Sequence, residues 1–278
     1  MIAGIDIGSG FIKTVILDDA AGRDAAVLGR GQVRTGVDLE KAARQALALA
    51  LDEAALPASA IAYVATTGFG RYSLGFRDIQ ITEITSGARG VRFLYPGADA
   101  ILDIGGQSTR AISLNPAGKV AHFKTNDKCA AGSGSFIVRA AKYLQIPLEQ
   151  AGDLALQALK PQPISSICAV LAESEIINHV SAGTSVEDIL CGIYESLADR
   201  SSLLLKRVGM RRDLVFIGGV ARQQGMVRAL EQRLGVRVDV PPHAEFVCAL
   251  GAALLGLQRR RAAAGASMSL GGSCIAAE

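Results

Sequence analysis

The stretch Ile2-Ala3-Gly4-Ile5-Asp6-Ile7-Gly8-Ser9-Gly10-Phe11-Ile12-Lys13 has a second version further along, Ala100-Ile101-Leu102-Asp103-Ile104-Gly105-Gly106-Gln107. In each, an apolar run ends in Asp-Ile-Gly and another strand-like run follows, Phe11–Leu17 in the first and Arg110–Leu114 in the second. An apolar strand that ends in a glycine turn and resumes as a strand predicts a β-hairpin. Ala26–Val33 continues the first copy as a third strand. Val120–Thr125 continues the second, after an Asn115-Pro116-Ala117-Gly118 turn. A strand–Asp-x-Gly–strand unit present twice is an internal duplication of a nucleotide-binding half. The copies meet near Tyr95-Pro96-Gly97, which predicts an α/β chain with domains at 1–97 and 98–244.

Outward from the hairpins the pattern is helical. Asp38 caps an Ala/Leu helix over about Leu39–Ala54, Ile61–Thr66 is a buried strand, and a helix begins near Glu83. The second copy predicts helices at Ser135–Leu144, Leu148–Leu159, Val170–Ser181, Val186–Val208 and Gln224–Leu234, with strands at Leu214–Ile217 and Arg237–Val240. Glu245–Arg260 reads as a last apolar helix that packs back on the first domain. The Ala/Gly/Ser-rich tail 262–278 reads as disordered. Arg259-Arg260-Arg261 reads as a helix-end charge group.

Two Asp-Ile-Gly turns suit a phosphate. Glycine lets backbone N–H groups approach phosphate oxygens with no Cβ in the way. An aspartate at the strand end holds Mg²⁺ through water or orients the attacking water, and Lys13 reaches back along its hairpin. Neither loop is a Walker A motif or a Gly-x-Gly-x-x-Gly turn. A third glycine pair, Gly218-Gly219-Val220-Ala221-Arg222, follows the apolar run Leu214–Ile217. Asp6–Lys13 resembles the first phosphate motif of the actin, sugar-kinase and Hsp70 superfamily. Asp103–Gln107 resembles the second, and Phe216–Ala221 the adenosine motif. The resemblance implies two ribonuclease-H-like domains with ATP and Mg²⁺ in an interdomain cleft. Gly8, Ser9, Gly10, Lys13, Gly105, Gly106, Gly218, Gly219 and Arg222 would then bind ATP, with Asp6, Asp103 and Gln107 catalytic.

Composition narrows the partners. The chain has 278 residues and half of them are hydrophobic, enough for two cored domains of about 100–150 residues. Its net charge of +3, with no long basic run, excludes a nucleic-acid partner. The N-terminus enters a strand at once without a basic leader, and no apolar run reaches the ~18 residues of a membrane span. The expected location is the cytoplasm. Five cysteines, an odd number at irregular spacing, argue against disulfides there.

Two of the five stand just ahead of predicted helices. Cys129 lies in Asn126-Asp127-Lys128-Cys129-Ala130-Ala131-Gly132-Ser133-Gly134, and Cys168 in Ser165-Ser166-Ile167-Cys168-Ala169-Val170. A helix start offers free N–H donors and partial positive charge, which suit an anionic metal cluster. A cubane held by four thiolates needs twice what one chain supplies here, and a two-fold dimer would supply it. Core packing is the competing reading, because free cysteine is often buried. These segments, with Ala172-Glu173-Ser174-Glu175, resemble the activators of 2-hydroxyacyl-CoA dehydratases, relatives of the benzoyl-CoA reductase ATPase subunits; the likeness runs through nearly all of residues 1–258.

That resemblance implies a homodimer with one [4Fe–4S] cluster bridged by Cys129 and Cys168 of each chain, charged by ferredoxin or flavodoxin. ATP-driven opening of a helix–cluster–helix hinge would pass one low-potential electron to a dehydratase or reductase partner. An ATPase subunit of a benzoyl-CoA-type reductase, a sugar kinase of the superfamily and an actin-like structural protein are the alternatives. The family pattern usually reads Gln-Asp where this chain has Gln107-Ser108, which bears on metal geometry and hydrolysis. Cys191 and Cys248 read as core packing, and Cys274 as an exposed tail thiol. His122, His179 and His243 are scattered, with no zinc spacing. Glu173 and Glu175 read as solvated helix carboxylates or as charges near the cluster or partner. Thr67-Gly68-Phe69-Gly70-Arg71 reads as a plain turn or as a loop near the nucleotide or partner.

Overall fold

The computed structural model describes residues 1–19, 25–126, 133–165, 169–210 and 213–271. The chain forms two units, one of Met1–Gly90 with Cys248–Glu278 and one of Val91–Val247.

The first unit is built on β1 (Ile2–Ile7), β2 (Phe11–Leu17), β3 (Val27–Arg34), α1 (Leu39–Glu53), β4 (Tyr63–Gly68), β5 (Ile79–Gln80) and the start of α2 (Glu83–Leu94). Its sheet runs β3-β2-β1-β4-β5. β1 pairs antiparallel with β2 and parallel with β4. Burial on both faces explains why β1 is apolar at every position but its glycine and Asp6. Asp38 caps α1, its side chain accepting from the Lys41 N–H at 2.9 Å. Ala43 and Ala46 of α1 pack with Ile5, Ile7 and Ile12.

The second unit repeats the wiring. It comprises β6 (Ala100–Ile104), β7 (Thr109–Leu114), β8 (Val120–Asn126), α3 (Gly134–Tyr143), α4 (Ala151–Ala155), α5 (Ala169–Ser181), α6 (Val186–Arg207), β9 (Leu214–Ile217), α7 (Gln224–Leu234) and β10 (Val238–Asp239). Its sheet order is β10-β9-β6-β7-β8, with β6 antiparallel to β7 and parallel to β9. β6 and β9 therefore stand where β1 and β4 stand in the first unit. Phe136 of α3, Tyr194 of α6 and Phe216 of β9 are the largest side chains of its core.

Three boundaries differ from the sequence reading. The division falls at Gly90 and Val91, inside α2, and not at Tyr95-Pro96-Gly97. The first turns of α2 lie against α8 (Val247–Gly271), so close that a side chain on Gly251 would collide with the Ser86 carbonyl oxygen. Those turns therefore belong to the first unit, while Pro96 only follows the helix end. α8 also lies on β1 and β4, with Gly4 against Ala249 and Ala253 and Gly256 against Ala65. It continues to Gly271, past Ala262, where the sequence predicts disorder. Ala262–Ala264 and Ala266 carry it on, since alanine has the highest intrinsic helix propensity. The predicted helix Leu148–Leu159 shrinks to a 3₁₀ turn, Leu148–Gln150, and α4. Asp188 takes up the Leu159 and Lys160 N–H groups at 2.9 and 2.7 Å, which turns the chain out of the helix.

Candidate functional site

In the first unit the loop after β1 is a tight turn held from outside. The Thr35 hydroxyl donates to the Gly8 carbonyl at 2.7 Å, and the Thr35 N–H donates to the Gly10 carbonyl at 3.0 Å. Asp6 is 8% exposed and lies opposite Lys13 in the β1–β2 ladder. The Lys13 ammonium is 3.4 Å from Asp6 Oδ2, so the lysine that the sequence directs to a phosphate rests on the aspartate. Ser9 and Gly10 form the outer turn, and a Cβ on Gly10 would meet nothing within 4 Å.

The second unit has the same device. Asp103, 5% exposed, lies opposite Arg110 in the β6–β7 ladder, and Arg110 Nη1 is 3.0 Å from Asp103 Oδ2. Arg110 stands at the same spacing from its aspartate as Lys13, a signal that the motif reading alone does not single out. The Gly105 N–H donates to the Ser108 carbonyl at 2.9 Å, closing the turn and leaving Gln107 exposed. The Gly105 and Gly106 carbonyls point the other way, accepting from the Gly134 and Ser135 N–H groups of α3 at 2.9 and 2.7 Å.

Each aspartate has a glycine at its back. Gly218 has φ +91°, and a Cβ there would meet the Ile104 carbonyl oxygen at 2.5 Å and Asp103 Oδ1 at 2.6 Å. Gly68 has φ +92°, and a Cβ there would collide with the Ile7 carbonyl oxygen and stand 2.7 Å from Asp6 Oδ1. Thr67-Gly68-Phe69-Gly70-Arg71 is thus the first unit's counterpart of the Gly218-Gly219 loop. The sequence signal for it is an apolar strand ending in Gly, then a basic residue shortly after. Arg71 Nη1 lies 3.4 Å from Glu83, as Arg222 Nη1 lies 3.4 Å from Glu245, so the Arg222 head engages a carboxylate of its own unit. Gly219 has open space where its Cβ would be.

These spaces predict opposite outcomes. Gly68→Ala and Gly218→Ala combine a left-handed backbone with a clash and each lose about 3 kcal/mol, read as a lower denaturation midpoint. Gly219→Ala stays within about 0.5 kcal/mol of the parent. A midpoint for Gly218→Ala equal to that of Gly219→Ala would contradict the geometry.

Cys129 and Cys168 lie outside the described residues; what flanks them does not. β8 ends at Asn126, and α3 begins at Gly134 with Ser133 as N-cap. α5 begins at Ala169, directly after Cys168. The sequence reading expects free N–H groups along Ala130-Ala131-Gly132-Ser133-Gly134, the last of them that of Gly134. Its N–H and that of Ser135 are instead spent on Gly105 and Gly106, so α3 keeps its dipole without those donors. Two thiols per chain ahead of two helix starts are half the donor set of a [4Fe–4S] cluster, and in chemistry and number they fit one shared by two chains. Among the described residues no group of three or more His, Cys, Asp or Glu side chains is placed to hold a metal ion.

The remaining cysteines and acids have local roles. Cys248 is buried, and Cys191 is half-buried beside the core. Burial, with Glu195 and Asp188, pushes the Cys191 thiol up, which disfavours its thiolate. Cys274 lies outside the described residues. Glu173 pairs with Arg139 at 2.5 Å, and Glu175 accepts the Ser165 N–H at 2.5 Å, so neither is merely solvated. Among the described residues no helix is long and apolar enough to cross a membrane.

The chain is similar to proteins of known activity. The chain is 42% identical over 251 residues to the activator of lactoyl-CoA dehydratase of Anaerotignum propionicum, covering 90% of this chain and 95% of that one. It is 42% identical over 263 residues to a benzoyl-CoA reductase subunit of Thauera aromatica, covering 92% and 93%. The structure superposes on the activator of the 2-hydroxyisocaproyl-CoA dehydratase from Clostridium difficile, solved with bound ADPNP. The TM-score is 0.89 at 35% identity over 95% of this chain and 97% of that one. This likeness makes the fold that of an actin-like ATPase. The model of the BadF/BadG/BcrA/BcrD ATPase family matches residues 3–256, through both aspartate hairpins and both glycine loops, and the chain belongs to that family.

Proposed function

We propose that this ATPase delivers single low-potential electrons to a 2-hydroxyacyl-CoA dehydratase. In this reading a [4Fe–4S] cluster is held by Cys129 and Cys168 from each chain of a homodimer, which works in the reduced cytoplasm. One observation carries the reading: both cysteine segments lead into helices of the unit that holds the Asp103 loop. The cluster, when bound, supplies a one-electron redox centre. Everything else falls to the chain. Gly8, Ser9, Gly10, Gly105 and Gly106 present backbone to phosphate, and Gly218, Gly219 and Arg222 receive the adenosine end. Asp6 and Asp103 hold Mg²⁺ through water, and exposed Gln107 orients the attacking water. Hydrolysis needs positioning and charge neutralisation more than covalent help. Lys13, which rests on Asp6, would turn from the carboxylate to an arriving phosphate. Exposed apolar side chains on α5, Leu171, Ile177 and Val180, suit a second copy of the chain.

The equal 42% identity to the Thauera reductase protein favours a second reading, the ATPase component of a benzoyl-CoA-type reductase. Reconstitution separates them. The anaerobically purified protein is given ATP and reduced ferredoxin or flavodoxin, then presented with a dehydratase component or with the remaining components of a reductase. ATP-dependent dehydration in the first mixture alone supports the proposal, and aryl reduction in the second alone selects the alternative. An iron-free dimer that phosphorylates a sugar would overturn both.

A further inference from the structure

The second phosphate loop and the helices beyond the two cysteines are joined by an unbroken set of contacts within one unit. Gly105 and Gly106 accept the first two N–H groups of α3. A Cβ on Gly134 would meet Val220 Cγ2 at 2.9 Å and the Gly105 carbonyl oxygen at 3.0 Å, so the start of α3 is wedged between the phosphate loop and the Gly218-Gly219 loop. Further along α3, Arg139 Nε and the Tyr143 hydroxyl both donate to Glu173 of α5, at 2.5 and 3.2 Å. Glu175 reaches back from α5 to the Ser165 N–H at 2.5 Å, ahead of Cys168. α3 is therefore fastened at one end to a nucleotide loop and along its length to α5.

We infer that Glu173 is a positioning residue: by clamping α5 to α3 it makes both helices follow the second phosphate loop when the nucleotide changes. This rests on the proposed function for its purpose, because the helices it couples follow Cys129 and Cys168. Chemistry favours the clamp as a transmitter. A carboxylate shared by a guanidinium and a phenol adds directional, charge-assisted bonds to the apolar packing of Ala172 and Ile176 with Phe136 and Ile137, and so fixes one relative geometry of the two helices. The carboxylate also pushes the Tyr143 phenol above its usual range, so that group stays a donor.

The test is hydrogen–deuterium exchange on the anaerobically purified dimer, with ADP and with a non-hydrolysable ATP analogue. Peptides spanning α3 and α5 are followed in the parent, in Glu173→Ala and in the charge swap Arg139→Glu with Glu173→Arg. In the parent, both helices change protection with the nucleotide. In Glu173→Ala, α3 keeps its response, the α5 response falls about threefold or more, and the swap restores it. A purely structural role would alter α5 exchange equally in both nucleotide states, and the inference would fail. It also fails if α5 in Glu173→Ala responds as in the parent, if the swap does not restore the response, or if either helix of the parent ignores the nucleotide. Iron content and the electron paramagnetic resonance spectrum of the same samples test the cluster separately. Iron-free parent protein would sink the proposed function while leaving the exchange result readable.

Discussion

Cys129→Ser and Cys168→Ser each leave the anaerobically purified dimer colourless, where the parent is brown with about four iron and four sulfide per dimer. In the proposed dimer each substitution removes two of the four thiolates at once, because a two-fold axis doubles every change. A serine hydroxyl stays protonated where the thiol ionises, so it does not replace the lost ligand. Iron falls about tenfold or more, and electron delivery to the partner falls with it. ATP hydrolysis stays within about twofold, since neither cysteine belongs to the phosphate loops. Cys191→Ser is the control. That thiol is half-buried, held up by burial and by Glu195 and Asp188, and its loss leaves colour and iron unchanged. Iron analysis with visible spectra decides the matter. A brown Cys129→Ser dimer with its full iron would remove the cysteine from the site.

The hairpins are legible in the sequence because an apolar strand and a glycine turn leave a local mark. Asp6 and Asp103 each end a strand apolar enough to be buried on both faces, and both turns open Asp-Ile-Gly. The pairing of those aspartates is also there to be read, since Lys13 and Arg110 stand at one spacing from Asp6 and Asp103. It shows more readily in the first copy because Arg110 opens a strand that reads as ordinary. Gly68 is harder. Its need for φ +92° comes from Ile7 and Asp6, which are remote in sequence, so Thr67-Gly68-Phe69-Gly70-Arg71 looks like a plain turn until β4 is laid beside β1. The links from Gly105 and Gly106 to α3, and from Arg139 to Glu173, are tertiary throughout. No periodicity announces them, and the free donors expected at Gly134 are already spent.

Asp103→Asn lowers the turnover of ATP hydrolysis about 100-fold or more, and part of its effect is structural. The Asp103 side chain is 7% exposed and Arg110 17%, with 3.0 Å between their charged atoms. An amide in place of the carboxylate breaks this ion pair, and breaking a buried pair costs about 3–5 kcal/mol. The melting midpoint of Asp103→Asn therefore falls as well. Adding Arg110→Met takes out the other half of the pair, so the double variant regains part of that stability. It does not regain hydrolysis, because the lost carboxylate is also the group proposed to hold the Mg²⁺ water beside the phosphates, a contribution of about 3 kcal/mol to the transition state. Asp6→Asn behaves more mildly in stability, since Lys13 at 3.4 Å is the longer pair and its flexible stem can carry the ammonium towards solvent. Turnover and melting midpoint measured on the three variants separate the two roles of Asp103. If the double variant recovers both together, Asp103 acts through Arg110 and the fold alone.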